Sequence, residues 1–176
     1  ALATNPSLNL VDVTHDILPQ DVLGGAFVLG SVWRDFPKGT IHLAVVDPGV
    51  GTDRNALLIE GRGYIFLVPD NGLISFVLPN DKTEQLPFAV YQSSLPNGFR
   101  AYSLDDTSYW HFPVSQTFHG RDIFASVAGH ISTGVNPAEV GKLVETINRL
   151  AVPIPEWHNE HLCGHLLHID RFGNVI

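Results

Sequence analysis

Residues 40–54 read TIHLAVVDPGVGTDR, a near-continuous apolar run that ends in an acid, a proline, two glycines and an arginine. Such a run is typical of a strand buried in a parallel sheet, because helices cover both faces of that sheet. In α/β sheets ligands gather beyond the carboxyl ends of the strands, and Asp47 is the first residue past this end. On spacing alone, however, a tight turn with an exposed Arg54 is favoured over a binding site.

The neighbouring segments alternate between strand and helix patterns. Residues 8–14 are β-branched and apolar, which predicts a strand. Residues 22–33 carry apolar side chains at three- and four-residue spacing, which predicts a helix that begins near Asp21. Residues 56–60 and 64–68 are two apolar runs separated by Gly-Arg-Gly, and this pattern predicts a hairpin.

Further along the chain, residues 69–78 predict a short helix capped by Asp70 or Asn71. Residues 79–117 predict a long loop in which AVYQ is a short strand. Residues 121–134 have an apolar face at helical spacing and predict another helix, with a glycine beyond its end.

Alternating strands and helices, then a proline-rich stretch and a new strand pattern, predict an α/β domain followed by a second domain. We expect the catalytic α/β domain over residues 1–152, a stiff linker containing PIPEW over 153–160, and the start of a β domain over 161–176. The chain contains no methionine and opens as though in mid-domain. We therefore expect it to be truncated at both ends.

The composition excludes several classes of function. The chain has 176 residues, 44% of them hydrophobic and 16% charged, which is typical of a globular protein. The net charge of −8 and the absence of a Lys/Arg cluster argue against nucleic-acid and anionic-membrane partners. No apolar stretch approaches the roughly 20 residues of a membrane helix. The lone Cys163 fits a reducing compartment, so we expect a cytoplasmic location.

A second polar motif, TFHGRDIF, occupies residues 117–124. It places His119 beside the positive end of the helix that follows, where the neutral, basic form of an imidazole is favoured. The other interpretation is that Asp122 caps the helix while His119 is an ordinary loop histidine. The motif alone leaves the two interpretations about equally weighted.

The tail contains a cysteine among four histidines, and this composition suggests a zinc site. Yet HLLHI reads as a strand, which would put His165 and His168 on opposite faces. A closed zinc site also needs paired ligands from two separated elements. We expect no metal here. A GxSxG nucleophile motif is absent from the sequence as well, so covalent catalysis is unsupported.

Five stretches together resemble one family, in order, along almost the whole chain: VDVTHDILPQDVLGGAFVL, FPKGTIHLAVVDPGVGTDR, VPDNGLI, TFHGRDIFASVAGHISTG and HIDRFGNVI. The family is that of the S-adenosylmethionine (SAM) hydroxide adenosyltransferases, or SAM hydrolases, which are relatives of the fluorinase and chlorinase enzymes. Residues 79–110 match least.

The resemblance implies an N-terminal α/β domain with a mostly parallel sheet between helices, followed by a C-terminal β-barrel-like domain. It implies a homotrimer that binds its small-molecule substrate at the interface between subunits. The family's first strand and its TDFG-like segment have no counterpart here, and the second domain stops at residue 176. If these residues are the whole polypeptide, we expect weak activity or none.

The resemblance also implies a catalytic set of Asp47, Arg54 and His119. The halogenating relatives replace the Asp and His positions with other residue types, and the fluorinase has a serine in the place of Gly120. The resemblance therefore implies water, and not halide, as the nucleophile for this chain. Arg54 would stabilise a developing hydroxide, Asp47 would orient Arg54 and the water, and His119 would accept or relay the proton. Which residue takes the proton stays open.

Asp170 and Asn174 match positions that the family uses for the methionine amino group and the adenine, although an ordinary β-turn is the other interpretation. The implied reaction is attack of water on the ribose 5′ carbon of SAM, which gives adenosine and L-methionine without a metal or redox cofactor. Two alternatives stay open: a halide-using adenosyltransferase, and a non-catalytic adenosine- or SAM-binding module.

Overall fold

The computed structural model describes residues 1–80, 85–170 and 172–176. In chain order its longer elements are α1 (Val22–Val32), β1 (Ile41–Leu43), β2 (Ala56–Gly61), β3 (Tyr64–Pro69), β4 (Val90–Ser94), β5 (Phe99–Ser103), α2 (Ala125–Ser132), β6 (Leu143–Val144), β7 (Thr146–Leu150), β8 (Glu156–His158) and β9 (His161–Cys163). Short 3₁₀ turns occupy Trp33–Asp35, Thr107–Tyr109 and Pro137–Glu139, and a π-helical turn, Gly120–Phe124, leads into α2.

The main sheet has five strands in the order β1-β3-β2-β5-β6. The predicted hairpin is confirmed: β2 and β3 are joined by Arg62 and Gly63, both at positive φ, as a type I′ turn requires. That turn makes β2 and β3 antiparallel, and β5 and β6 continue antiparallel, so only β1 pairs in parallel, with β3. The α/β class is confirmed, and the sheet is mixed, with a smaller parallel share than expected.

Helices cover both faces of this sheet. Side chains of β2 alternate, so that Leu57 and Ile59 belong to one buried cluster and Leu58 to the other. The first cluster includes Leu29 and Trp33 from α1 and the turn after it, while the second includes Phe124, Val127 and Ile131 from the π turn and α2. This two-sided burial explains why the strands read as continuous apolar runs.

Both long helices were predicted correctly. Asp21 caps α1, because its carboxylate accepts a hydrogen bond from the Gly24 N–H at 2.8 Å. The helix predicted at 121–134 is the π turn followed by α2, and Gly134 lies beyond its end with φ of 98°. No helix in the described part of the chain is long and apolar enough to cross a membrane.

Two predictions about local structure were wrong. Residues 8–14 are irregular instead of a strand, because no described segment pairs with their backbone, and Leu10 and Val11 are exposed. The helix predicted at 69–78 is absent as well: Pro69 ends β3, and residues 70–78 form successive turns. Their polar groups are engaged by β7: Ser75 Oγ accepts the Leu150 N–H at 2.7 Å.

The loop predicted at 79–117 is right for most of its described residues, which exclude 81–84, but it is interrupted by two strands. The strand predicted at AVYQ is confirmed and forms the beginning of β4, which pairs with β7, but β5 was missed and pairs with β2. In the tail β8 and β9 form a hairpin, while the strand expected at 165–170 is only a bridge between Ile169 and Val175. The domain boundaries and the β-barrel-like domain stay predictions.

Candidate active site

Asp47 and Arg54 form a bidentate ion pair at the two ends of the DPGVGTDR loop, residues 47–54. Arg54 Nε donates to Asp47 Oδ1 at 2.8 Å, and Nη2 donates to Oδ2. The Arg54 and Asp47 side chains are only 10% and 5% exposed. Fork-shaped pairing of this kind combines charge with fixed geometry. Arg54 is therefore held inside the molecule, in contrast to the exposed arginine that the spacing favoured.

The loop bends back through two tight turns. The Val50 N–H donates to the Asp47 carbonyl at 3.2 Å, and the Thr52 N–H donates to the Gly49 carbonyl at 3.1 Å. Gly51 has φ of 78°, and a Cβ there would lie 2.7 Å from the Gln116 carbonyl oxygen. Glycine is thus required both by the backbone conformation and by the contact with the segment just before His119.

His119 lies against the guanidinium of Arg54. Its Nδ1 is 3.4 Å from Arg54 Nη2. Because a guanidinium can only donate, Nδ1 must be the accepting nitrogen, and the neutral ring carries its proton on Nε2. His119 immediately precedes the π turn, and Phe124 from the same turn presents its ring 5.5 Å from Arg54 Cζ. π turns are frequent at functional sites, and nothing in the sequence signals this one.

A cavity of about 240 Å³ opens beside Arg54 and His119. Its other walls include Thr52, Asn55, Leu104, Asp105, Trp110 and Ile123. Pockets that enclose a small-molecule ligand usually measure about 300–1,000 Å³. The described residues of one chain therefore provide room for water and part of a larger ligand.

Asp122 does not cap the helix as one interpretation held. Its carboxylate is fully buried in the π turn, where it accepts from Arg121 Nε at 2.6 Å and from the Ser115 N–H at 2.8 Å. The Arg121 hydrogen bond, supported by the Ser115 N–H, lowers the pKa of Asp122 to about 2. Asp122 therefore ties the segment before His119 to the turn after it.

The three residues expected to hold substrate are not gathered in one place. Gly120 adjoins His119, and a Cβ there would meet Val45 at an ordinary 3.7 Å. Asp170 accepts the Asn174 N–H at 2.8 Å and the Asn174 side chain at 2.6 Å, and these bonds lower the pKa of Asp170. Across the described ranges, no hydrogen bond or ion pair joins this exposed turn to Asp47.

The tail histidines do not converge. Within residues 1–80, 85–170 and 172–176, no group of three or more His, Cys, Asp or Glu side chains is arranged to hold a metal ion. Phe27 stacks on His168 with ring centroids 4.9 Å apart, and Phe88 meets His165 edge-on. These two histidines are therefore in aromatic contacts.

The fold and the site define the class: an α/β protein with a buried carboxylate–guanidinium pair and a histidine beyond the end of its parallel edge strand. The sequence model described as the SAM hydroxide adenosyltransferase N-terminal domain matches residues 1–141. The chain therefore belongs to the SAM hydroxide adenosyltransferase family, as the resemblance indicated.

Individual relatives agree with this assignment. The (R)-S-adenosyl-L-methionine hydrolase of Salinispora tropica is 37% identical over 173 residues, covering 97% of this chain and 60% of that protein. The fluorinase of an Actinoplanes species is more distant, with 26% identity over 202 residues, 99% of this chain and 62% of that protein. A crystal structure of an uncharacterised conserved protein from Thermotoga maritima matches with a TM-score of 0.82 at 32% identity, over 99% of this chain and 61% of that one. The chain spans about 60% of the length of the curated relatives it matches.

Proposed function

We propose that this chain carries the catalytic part of a SAM hydrolase, which converts SAM and water to adenosine and L-methionine. The observation that carries the proposal is the buried bidentate Asp47–Arg54 pair with His119 Nδ1 3.4 Å from the guanidinium. The hydrolase relatives, at 31–37% identity over nearly the whole chain, support it.

In the proposed reaction a water oxygen attacks the ribose 5′ carbon. The new C–O bond forms as the C–S bond breaks. The electron pair of the C–S bond stays on the sulfur and neutralises the sulfonium, so that methionine leaves. Water is a weak nucleophile, with a pKa of about 15.7. Arg54 stabilises the charge that develops on the attacking oxygen, because its guanidinium is permanently cationic. No step requires a metal or redox cofactor.

His119 is the base that accepts the proton of the attacking water in this proposal. Both carboxylate oxygens of Asp47 already accept hydrogen bonds from Arg54, which weakens Asp47 as a base. The contact between His119 Nδ1 and Arg54 Nη2 is long, at 3.4 Å, so a water that enters between the two groups can replace it, receiving from the guanidinium and donating to the imidazole. Asp47 then acts by fixing Arg54.

Chromatography of the products tests the proposal. The chain, and the same chain extended by the remaining segment of the Salinispora hydrolase, are incubated with the (R) and (S) sulfonium epimers of SAM in fluoride and in chloride buffer. We expect adenosine and methionine in equal amounts, preferentially from the (R) epimer, and far more from the extended chain. A 5′-halo-nucleoside would assign the protein to the halide-using branch. Calorimetric binding of SAM without any turnover by the extended chain would make it a binding module.

Substitutions in the candidate site test the roles of His119 and of the Asp47–Arg54 pair. His119→Gln should reduce adenosine release by about 100-fold or more, because a general base contributes about 10²–10⁴-fold. Asp47→Asn should reduce it by about 100-fold, because a neutral amide holds Arg54 less firmly and a displaced catalytic group can cost that much in rate. Asp53→Asn is the control, since Asp53 is an exposed acid in the same loop. Equal rates for Asp47→Asn and Asp53→Asn would overturn the assigned roles.

We also propose a cytoplasmic homotrimer with the site at the subunit interface. The small cavity within one chain and the exposed apolar side chains of the tail, among them Trp157 and Phe172, support an assembly that completes the site. The exposed free thiol of Cys163 supports a reducing location. Light scattering after gel filtration measures the assembly, and a monomer that turns over SAM would contradict it.

A further inference from the structure

The DPGVGTDR loop is held at its first end by Asn71. The Asn71 Nδ2 group donates to the Val46 carbonyl at 2.8 Å, directly before Asp47. Asn71 Oδ1 accepts the Leu73 N–H at 3.2 Å, which fixes the orientation of the amide. The side chain therefore links the start of the loop to the turns that follow β3.

The other end of the loop is held by the preceding residue, Asp70. The Asp70 N–H donates to the Asn55 carbonyl at 2.9 Å, directly after Arg54. The Asp70 carboxylate is buried and accepts the Asn148 N–H of β7 at 2.7 Å, while its carbonyl accepts the Asn148 side chain at 3.0 Å. Asp70 is thereby fixed to β7, and it fixes Asn55 in turn.

The charge of Arg54 also influences the Asp70 carboxylate. Burial raises the pKa of Asp70, against the opposing effects of the Asn148 and Asn55 hydrogen bonds and of the Arg54 charge. The positive charge of Arg54 therefore acts on the Asp70 carboxylate as well as on its bonded partner Asp47.

We propose that Asp70 and Asn71 are positioning residues: each holds one end of the DPGVGTDR loop and so fixes the Asp47–Arg54 pair against His119. The clamp consists of these two consecutive residues and their bonds to Val46 and Asn55. Its catalytic importance rests on the proposed hydrolase function. Displacement of a catalytic group by about 1 Å can cost about 100-fold in rate, so the clamp acts on turnover more than on substrate affinity.

The decisive variant is Asn71→Asp, which keeps the shape of the side chain and its bond from the Leu73 N–H. A carboxylate cannot donate, so the bond to the Val46 carbonyl is lost. We expect kcat to fall about 10- to 100-fold with KM changed less than about 3-fold. Asn136→Asp is the matched control, because Asn136 caps an exposed turn elsewhere through its acceptor oxygen alone.

A second readout does not depend on activity. In ¹⁵N NMR spectra the Arg54 Nε–H should be sharp and slowly exchanging in the unmodified chain, because it is bonded to Asp47. Asn71→Asp should broaden that signal and speed its exchange, and Asn136→Asp should leave it unchanged. Should Asn71→Asp fail to fold by circular dichroism, Asn71→Ala is measured in the same way, since it removes the bond to the Val46 carbonyl without placing a charge there.

The two readouts separate the clamp from the proposed function. If no form of the protein releases adenosine but Asn71→Asp disturbs the Arg54 signal, the clamp stands and the hydrolase function is refuted. If adenosine is released and Asn71→Asp keeps both kcat and the Arg54 signal, the clamp is refuted. A fall in kcat with an unchanged Arg54 signal also refutes it, because the loss would not act through the pair.

Discussion

The DPGVGTDR loop and the Asp170–Asn174 turn are built alike and surrounded differently. Each contains an acid and a glycine at positive φ, 78° for Gly51 and 85° for Gly173. A Cβ on Gly51 would strike the Gln116 carbonyl oxygen at 2.7 Å, whereas a Cβ on Gly173 would meet nothing within 4 Å. An acid–glycine turn therefore becomes a buried polar site only when other elements close around it.

The acids of the two turns differ in the same way. Asp47 bonds to an arginine at the far end of its loop, and its side chain is 5% exposed. Among the described residues Asp170 bonds only within its own turn, beside a Phe172 that is 92% exposed. The side chain of the first acid is buried in an ion pair, whereas the second acid lies in an exposed turn.

Replacing the acid of each turn by alanine should give the largest difference in the free energy of unfolding between the two turns. Asp47→Ala leaves the Arg54 charge buried without its partner, and breaking a buried pair in this way costs about 3–5 kcal/mol. Asp170→Ala removes bonds within an exposed turn and should cost under about 1 kcal/mol. Urea unfolding followed by tryptophan fluorescence measures both, with Asp53→Ala as the control. Equal unfolding midpoints for Asp47→Ala and Asp170→Ala would contradict the comparison.

The two glycines give the next largest contrast. Alanine at either position adopts a left-handed backbone at about 1–2 kcal/mol. Gly51→Ala must also push back the Gln116 carbonyl, so we expect a total loss of about 2–4 kcal/mol and a strong fall in adenosine release. Gly173→Ala should carry the backbone cost alone, because a Cβ there meets nothing within 4 Å. Wild-type turnover by Gly51→Ala would show that the loop need not contact the segment before His119.

The sequence predicted those parts of the fold whose signals are local. The hairpin follows from Arg62 and Gly63, and α1 follows from the Asp21 cap and the helical spacing after it. The destinations of β4 and β5 were not predictable, since these strands are close neighbours in the chain but pair with β7 and β2. Strand partners depend on contacts remote in sequence.

The residues of the candidate site could be predicted from the sequence, but the residues that hold them in place could not. Two motifs identified Asp47, Arg54 and His119 through a family resemblance, and the fold brings these residues together. The clamp residue Asn71 could not be assigned, because its partner is the backbone carbonyl of Val46. Every residue has such a carbonyl, so nothing in the sequence marks this one.

A pH titration extends the comparison to a third acid. The pKa of Asp122 is lowered to about 2 in the folded protein, against about 3.9 in an unfolded chain. Stabilisation by Asp122 is therefore complete above about pH 4–5 and is lost as the pH falls towards 2. The difference in unfolding free energy between the wild type and Asp122→Asn should shrink over that range. Asp53→Asn is the control, because Asp53 is an exposed acid outside the π turn. A difference independent of pH would show that the Asp122 charge contributes nothing.

Gly120→Ser should have the smallest effect, although Gly120 adjoins His119. Unlike Gly51, it has room for a side chain, because the nearest atom to a Cβ would be Val45 Cγ1 at 3.7 Å. Stability should change by under about 0.5 kcal/mol in thermal unfolding. The Asp47–Arg54–His119 set is untouched, so adenosine should remain the product even in concentrated fluoride. A 5′-fluoro-nucleoside from this variant would mean that one hydroxyl beside His119 selects the nucleophile. The Asp47–Arg54 pair would then not be what selects water over fluoride.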